Sequence, residues 1–216
     1  MNNDEVVGKA GWRQLVRPEC TPEGANIAFI KRLGEAWEAK SSCFTPADLE
    51  DHISRTLAAW IDEEQVRLDG EWTVVCQAES LKSVIGGKAV LIGRCDLVLT
   101  IRNHKIIYEC KRLGLVSKGK YSSNAGPYVK DGMHRFTVDQ KYPSRTGLCG
   151  MIGYVMDGNV KKALGAVLGK IKELSPQGRL INPYPPTPHR LAHRFKTEHL
   201  VDETHRLKAH HLLFPV

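Results

Sequence analysis

No apolar run in this chain approaches the ~20 residues that a membrane span needs. The start, Met1-Asn2-Asn3-Asp4-Glu5, lacks the basic and apolar pattern of a secretory signal. None of the six cysteines (Cys20, Cys43, Cys76, Cys95, Cys110, Cys149) forms a C-x-x-C pair, and no zinc-finger pattern is present. Cys76, Cys95 and Cys110 fall inside apolar runs that read as strands. The favoured reading is small buried residues in a reducing cytoplasm, ahead of a metal site or a disulfide set. There is no Gly-x-Ser-x-Gly elbow, and Gly86-Gly87-Lys88 lacks the full Walker spacing. His189 and His193 stand four apart, as zinc ligands on a helix can, but no HExxH pattern or nearby cysteine supports them. Repeats and low-complexity segments are also missing. What remains is a soluble, cytoplasmic globular protein with a core-sized length of 216 residues.

Acids are scarce in one place. Residues 102–145 carry ten Lys or Arg against three Asp or Glu, so this segment alone holds the whole net charge of +7. A zone of that kind attracts a polyanion, most simply nucleic acid. Charge alone does not choose between that and a solvated surface.

Along the chain, residues 1–24 read as an irregular arm and 25–40 as a helix, with Thr21-Pro22 as its start. Thr45-Pro46-Ala47-Asp48 offers an N-cap, a proline at N1 and an acid at N3, for a helix running to about Arg67. Ile53, Leu57 and Ile61 make its apolar stripe, which Glu50 and Glu64 share. Glu71–Gln77 is a strand, and Leu81–Gly87 an irregular loop or part of a hairpin. Val90–Ile101 and Lys105–Leu113 form an antiparallel hairpin across Arg102-Asn103-His104. Residues 114–127 read as a mobile basic loop and about 127–138 as a helix whose apolar line Gln140 extends. Leu148–Met156 suits a buried strand, and Val160–Leu174 a helix burying Leu164, Val167, Leu168 and Ile171. Residues 175–188, rich in proline, read as an extended connector, with a closing hairpin around Asp202-Glu203. Three parts follow within one domain (1–216): an arm and helix (1–44), a core (45–174), and a Pro-rich connector with a C-terminal hairpin (175–216).

The chemistry sits in Gly93-Arg94-Cys95-Asp96-Leu97-Val98 and Tyr108-Glu109-Cys110-Lys111-Arg112. Alternation puts Arg94, Asp96 and Val98 on one strand face, and Glu109 and Lys111 on one face of the next. Each strand is expected to keep one apolar face and carry its charges on the other. Asp96 and Glu109 stand symmetrically about the turn, so they lie side by side across the ladder. Two carboxylates can hold a hard divalent cation, which contacts phosphate oxygens and acidifies water. A lysine two residues from the second carboxylate can orient or deprotonate that water. The bland alternative is a cross-strand salt bridge, which the apolar flanks of both acids disfavour.

These residues resemble the PD-(D/E)xK nuclease superfamily, with Asp96 on one core strand and Glu109-Cys110-Lys111 on the next. The order of elements from about 46 to 156 is similar to the restriction-endonuclease-like αβββαβ core. The resemblance implies an α/β fold with a mixed central sheet flanked by helices, here with an N-terminal arm and the C-terminal hairpin added. It implies a Mg²⁺- or Mn²⁺-dependent nuclease in which Asp96, Glu109 and Lys111 are catalytic. The position before Asp96 is Cys95 where the family pattern has proline. Many relatives add a helix acid to the metal set. Glu50 is the first choice and Glu64 the second, although an acid near a helix N-terminus is also favoured by the dipole. Some relatives carry Gln and Tyr on the following helix, where Gln140-Lys141-Tyr142 stands at a different spacing.

Arg135 and Lys141, and Lys118 and Lys120 in the Gly-rich loop, are candidates to hold the nucleic-acid backbone, as is Gln140. DNA is expected ahead of RNA, and an RNase is an alternative. The missing specificity module suggests a protein partner for targeting, and a homo-oligomer is compatible. Compact nucleases of this family serve in bacterial anti-phage defence or repair. A non-catalytic nucleic-acid-binding or assembly module with the same fold is the competing class.

Overall fold

The structure is a computed structural model that describes residues 21–67, 72–83, 89–101, 104–142, 144–174, 180–188 and 193–216. The arm at 1–20, Arg102 and Asn103 of the turn, Gly86-Gly87-Lys88 and His189 lie outside them. Helix α1 spans Pro22–Lys40, and the Thr21 hydroxyl caps it by accepting from Gly24 N at 3.0 Å. Helix α2 spans Glu50–Arg67. Strands β1 (Trp72–Ser83), β2 (Ala89–Ile101) and β3 (His104–Leu113) follow as an antiparallel meander. A small hairpin of β4 (Leu115–Ser117) and β5 (Lys120–Ser122) precedes a composite helix. That helix begins as α3 (Ala125–Pro127), continues as a π-helical segment (Tyr128–Met133) and ends as α4 (His134–Thr137). Then come β6 (Leu148–Val155), α5 (Val160–Glu173), β7 (Leu180–Pro188), β8 (His193–Leu200) and β9 (Arg206–Pro215).

Seven strands form one mixed sheet in the order β1-β2-β3-β6-β9-β8-β7. The central contacts, β3 with β6 and β6 with β9, are parallel, and the flanking pairs are antiparallel. One face is covered by α1 and α2, where Phe29, Leu33, Trp37, Ile53, Leu57 and Ile61 pack with Leu97, Tyr108, Ile152 and Phe214. The other is covered by the composite helix and α5, where Val129, Met133 and Val167 pack with Ile107, Met151 and Leu213. This is a mixed α/β fold of three layers. All eight residues of β6 are buried, as expected of a parallel strand covered on both sides. No described helix is long and apolar enough to cross a membrane.

Several sequence expectations change here. Thr45-Pro46 does not start α2. Asp48 Oδ2 instead accepts from Thr45 N (2.7 Å) and Oγ1 (2.9 Å), closing a turn, and the helix begins at Glu50. The first strand continues to Ser83, so the start of the segment read as an irregular loop or part of a hairpin (81–83) is hairpin strand paired with β2, and 84–87 lie outside the described residues. The segment read as a mobile loop contains the β4–β5 hairpin. The described part of the proline-rich connector, Leu180–Pro188, is β7, a strand at the sheet edge, where prolines are tolerated because one side of the backbone has no neighbour to bond. The closing hairpin exists, but it is not an appendage: β9 lies against β6 inside the sheet. On α5, Val160, Ala163, Val167 and Ile171 are buried, while Leu164 and Leu168 are partly so.

Candidate active site

The hairpin register places Leu97 opposite Tyr108, and pairing then runs to Ile101 opposite His104. On the other side of Tyr108 the ladder gives way to side chains. The Asp96 carboxylate takes the N–H of Cys110 at 2.6 Å, and Glu50 takes that of Arg112 at 3.2 Å. Alternate N–H groups of a strand point the same way, so two acids cap the edge of β3 in succession. Opposite Asp96, Gln77 of β1 adopts a left-handed φ of 58°, an uncommon conformation for a side chain of this kind. The hairpin therefore brings Asp96 beside Glu109 as its symmetry predicts, but at the place where β2 parts from β3.

Starting α2 at Glu50 has a direct effect. The acid stands in the first turn, where the helix dipole favours it, and its carboxylate reaches Lys111 Nζ at 3.5 Å. Both readings of Glu50, dipole partner and site member, hold at once. Glu64, the second choice, lies near the other end of the same helix and is partly buried.

Glu109 is fully buried, so the charged face of β3 is not a solvent face. The π-helical segment covers it. Gly132 makes this possible: a Cβ there would lie 2.6 Å from Met151 Cε and 3.6 Å from the Cγ atoms of Glu109 and Lys111. Glu109 Oε1 accepts from Lys111 Nζ at 2.9 Å and from Arg135 Nη1 at 2.6 Å. Its Oε2 is buried without a hydrogen-bond partner. Burial first, then Asp96, pushes the Glu109 carboxyl up to about 7, with Lys111 and Arg135 opposing. Burial also raises Asp96, against the pull of Lys111 and the Cys110 N–H.

Lys111 Nζ is the point where the acids meet: Glu109 at 2.9 Å, Glu50 at 3.5 Å and Asp96 at 3.8 Å. It also donates to Cys110 O at 2.8 Å. Burial would lower its pKa, but the three carboxylates outweigh that and hold the ammonium charged. Among the described residues, no three His, Cys, Asp or Glu side chains are grouped as metal ligands.

Arg135 was expected to face the nucleic-acid backbone. In the structure its part-exposed guanidinium lies on Glu109, and Nη1 also donates to the Tyr142 hydroxyl at 3.0 Å. Tyr142 in turn donates to Arg94 O at 2.8 Å. Of the Gln140-Lys141-Tyr142 triplet, then, it is Tyr142 that joins the site. Gln140 lies past the helix end with φ 50° and donates to Val201 O at 3.4 Å, so it does not extend the helical line. Lys141 is exposed and pairs with Asp139 at 3.4 Å. Lys118 and Lys120 are exposed on the β4–β5 hairpin.

The chain matches no protein-family model, no curated protein and no solved structure.

The donor set can be tested against a divalent cation. Asp96, Glu109 and Glu50 offer hard oxygen ligands of the kind Mg²⁺ and Mn²⁺ prefer. The buried Glu109 Oε2 is an acceptor with nothing to accept from. Three carboxylates face two cationic side chains, Lys111 and Arg135. The residue types suit a cation, while the three carboxylates are gathered on Lys111 Nζ and are not grouped as a ligand set. Among the described residues, the histidines of the C-terminal strands do not form a metal centre. His211 bonds Tyr128 Oη at 3.0 Å and Thr197 Oγ1 at 2.8 Å, and His199 bonds the same Thr197 at 2.8 Å, inside the core.

Proposed function

We propose that this protein is a Mg²⁺- or Mn²⁺-dependent nuclease of the PD-(D/E)xK type, built on a restriction-endonuclease-like core, with DNA its substrate ahead of RNA. The observation that carries this is the buried Glu109, beside Asp96 and Lys111, with one oxygen left unpartnered where two strands part. An acid buried and half satisfied costs stability, and a cation-dependent hydrolytic site gives it a use.

Asp96, Glu109 and Glu50 are the residues that would hold the cation. The cation would place positive charge against phosphate oxygens and make water more acidic. Lys111, held as an ammonium, stabilises negative charge and can hydrogen-bond the attacking water. Its proton is retained by the three acids, so loss of their charge to a cation would make that proton easier to release. Arg135, already charged and beside Glu109, can turn to a phosphate oxygen. Tyr142 holds its guanidinium meanwhile.

The chain would be incubated with plasmid, linear and single-stranded DNA and with RNA, in Mg²⁺, Mn²⁺ or EDTA. Cleavage in the metals, none in EDTA, and none in Asp96→Ala or Lys111→Ala is the expected pattern. Cleavage that survives both substitutions removes the assignment.

A second reading has its own observation. Lys111 and Arg135 both sit on Glu109, a mutually neutralised cluster that a nucleic-acid-binding module could keep for structure. Tight, salt-sensitive binding without cleavage in any metal would favour it. A role in bacterial anti-phage defence or repair, with a protein partner supplying the target, belongs to the same proposal.

A further inference from the structure

The face of β3 that carries Lys111 and Glu109 continues, by alternation, through Ile107 to Lys105. At that end a cavity of about 400 Å³ opens beside the strand. Its volume is in the range of small-molecule sites. Three basic residues line it, His104, Lys105 and Arg145, together with the rings of Phe136 and Tyr142. None of the described residues lining it is acidic. Lys105 and Arg145 are exposed, and neither is held in an ion pair among the described residues.

Tyr142 is the wall between this cavity and the catalytic cluster. Its hydroxyl is engaged by Arg135 and Arg94 O, on the side of Glu109. Its ring lines the cavity and packs edge-on with Phe136 at 5.3 Å between centroids. Both rings are buried, so they close the floor of the cavity, and the basic side chains at its mouth offer partners for phosphates. The four residue steps from Lys105 to Glu109 span about 13 Å of strand. A polynucleotide lying along β3 would cross that distance in a few nucleotide steps.

We propose that the cavity is a nucleotide subsite for the strand being cut, with a nucleotide seated in its mouth and its phosphates on Lys105 and Arg145. This rests on the nuclease reading, and it adds residues outside the carboxylate cluster.

The test is binding of fluorescently labelled single-stranded and duplex DNA oligonucleotides to the full chain in EDTA, so that no cleavage intervenes. Lys105→Glu/Arg145→Glu is compared with the wild type and with Lys161→Glu/Lys172→Glu, two exposed lysines of α5, as a control for general charge. Thermal melts confirm that the variants are folded. The expected result is at least tenfold weaker binding for the double variant, a smaller change for the control, and a salt slope reduced by about 1–2. Binding within twofold of the wild type overturns the subsite. So does equal displacement of the oligonucleotide by inorganic phosphate and by a dinucleotide, which would make the cavity a plain anion site. A wild type that binds no oligonucleotide overturns it too. A parallel cleavage assay in Mn²⁺ separates the two proposals. Weakened binding in the double variant with a wild type that never cuts keeps the subsite and removes the nuclease. Cutting by the wild type with unchanged binding in the double variant does the reverse.

Discussion

Glu109 shares one oxygen between two cationic side chains and leaves the other buried without a partner. Its pKa is pushed up to about 7, against 4.5 for a free glutamate. The folded protein thus holds this proton more tightly than the unfolded chain. The stability it contributes is complete below about pH 4.5 and is lost as pH rises through about 7. Glu109→Gln removes that dependence. Its melting temperature relative to the wild type should therefore rise across this window, which melts at a series of pH values would show. Mg²⁺ offers a second reading of the same group. Binding of the ionised acids stabilises the native state by mass action. Millimolar Mg²⁺ should raise the wild-type melting temperature at pH 8 more than at pH 5, and should not raise that of Asp96→Ala. An equal shift in that variant would place the cation elsewhere. For activity, Asp96→Ala and Lys111→Ala should each cost at least 100-fold in cleavage rate, since each removes charge from the reacting centre.

At the scale of elements, the site depends on how closely the π-helical segment approaches β3. Gly132 sets that distance, with Met151 Cε already 2.6 Å from where a Cβ would stand. Gly132→Ala should push the segment off Glu109 and Lys111 or displace Met151. Overpacking of this kind costs about 1–3 kcal/mol, measurable by chemical denaturation, and cleavage should fall with it. Undiminished stability and cleavage would show that the methionine simply moves aside. Helix α2 matters at one residue. Had it begun at Pro46, as the Thr45-Pro46 pattern suggests, Glu50 would lie a turn inside it. The Asp48 carboxylate instead closes a turn on Thr45, which leaves Glu50 as the first helical residue, beside Arg112 N and Lys111. The bond from Thr45 N to Asp48 is the contact of a capping box, so the later start at Glu50 is not read from either local signal.

Across the whole molecule, the C-terminal strands are part of the sheet that carries the site. β9 lies between β6 and β8, with Ala209, Leu212, Leu213 and Phe214 buried. Removing residues 206–216 should abolish cooperative unfolding, seen as loss of a sharp thermal transition. A truncated chain that melts normally would make the tail the appendage its proline-rich approach suggests. The element order from α2 to β6, apart from the β4–β5 hairpin, and the β2–β3 hairpin that brings Asp96 near Glu109 were legible in the sequence, because period-2 alternation and symmetry about a turn are local properties. So was the co-location of Lys111. Burial of Glu109, the orphaned oxygen, the Arg135–Tyr142 clamp and the place of β9 were not. Each depends on which distant segment covers a surface, and residues far apart in the chain, such as Glu50 and Arg112, meet only when the sheet and helices pack. The sequence alone thus determined which side chains share a strand face. The tertiary structure alone decided which of those faces is dry, and therefore which carboxylate oxygen is left without a partner.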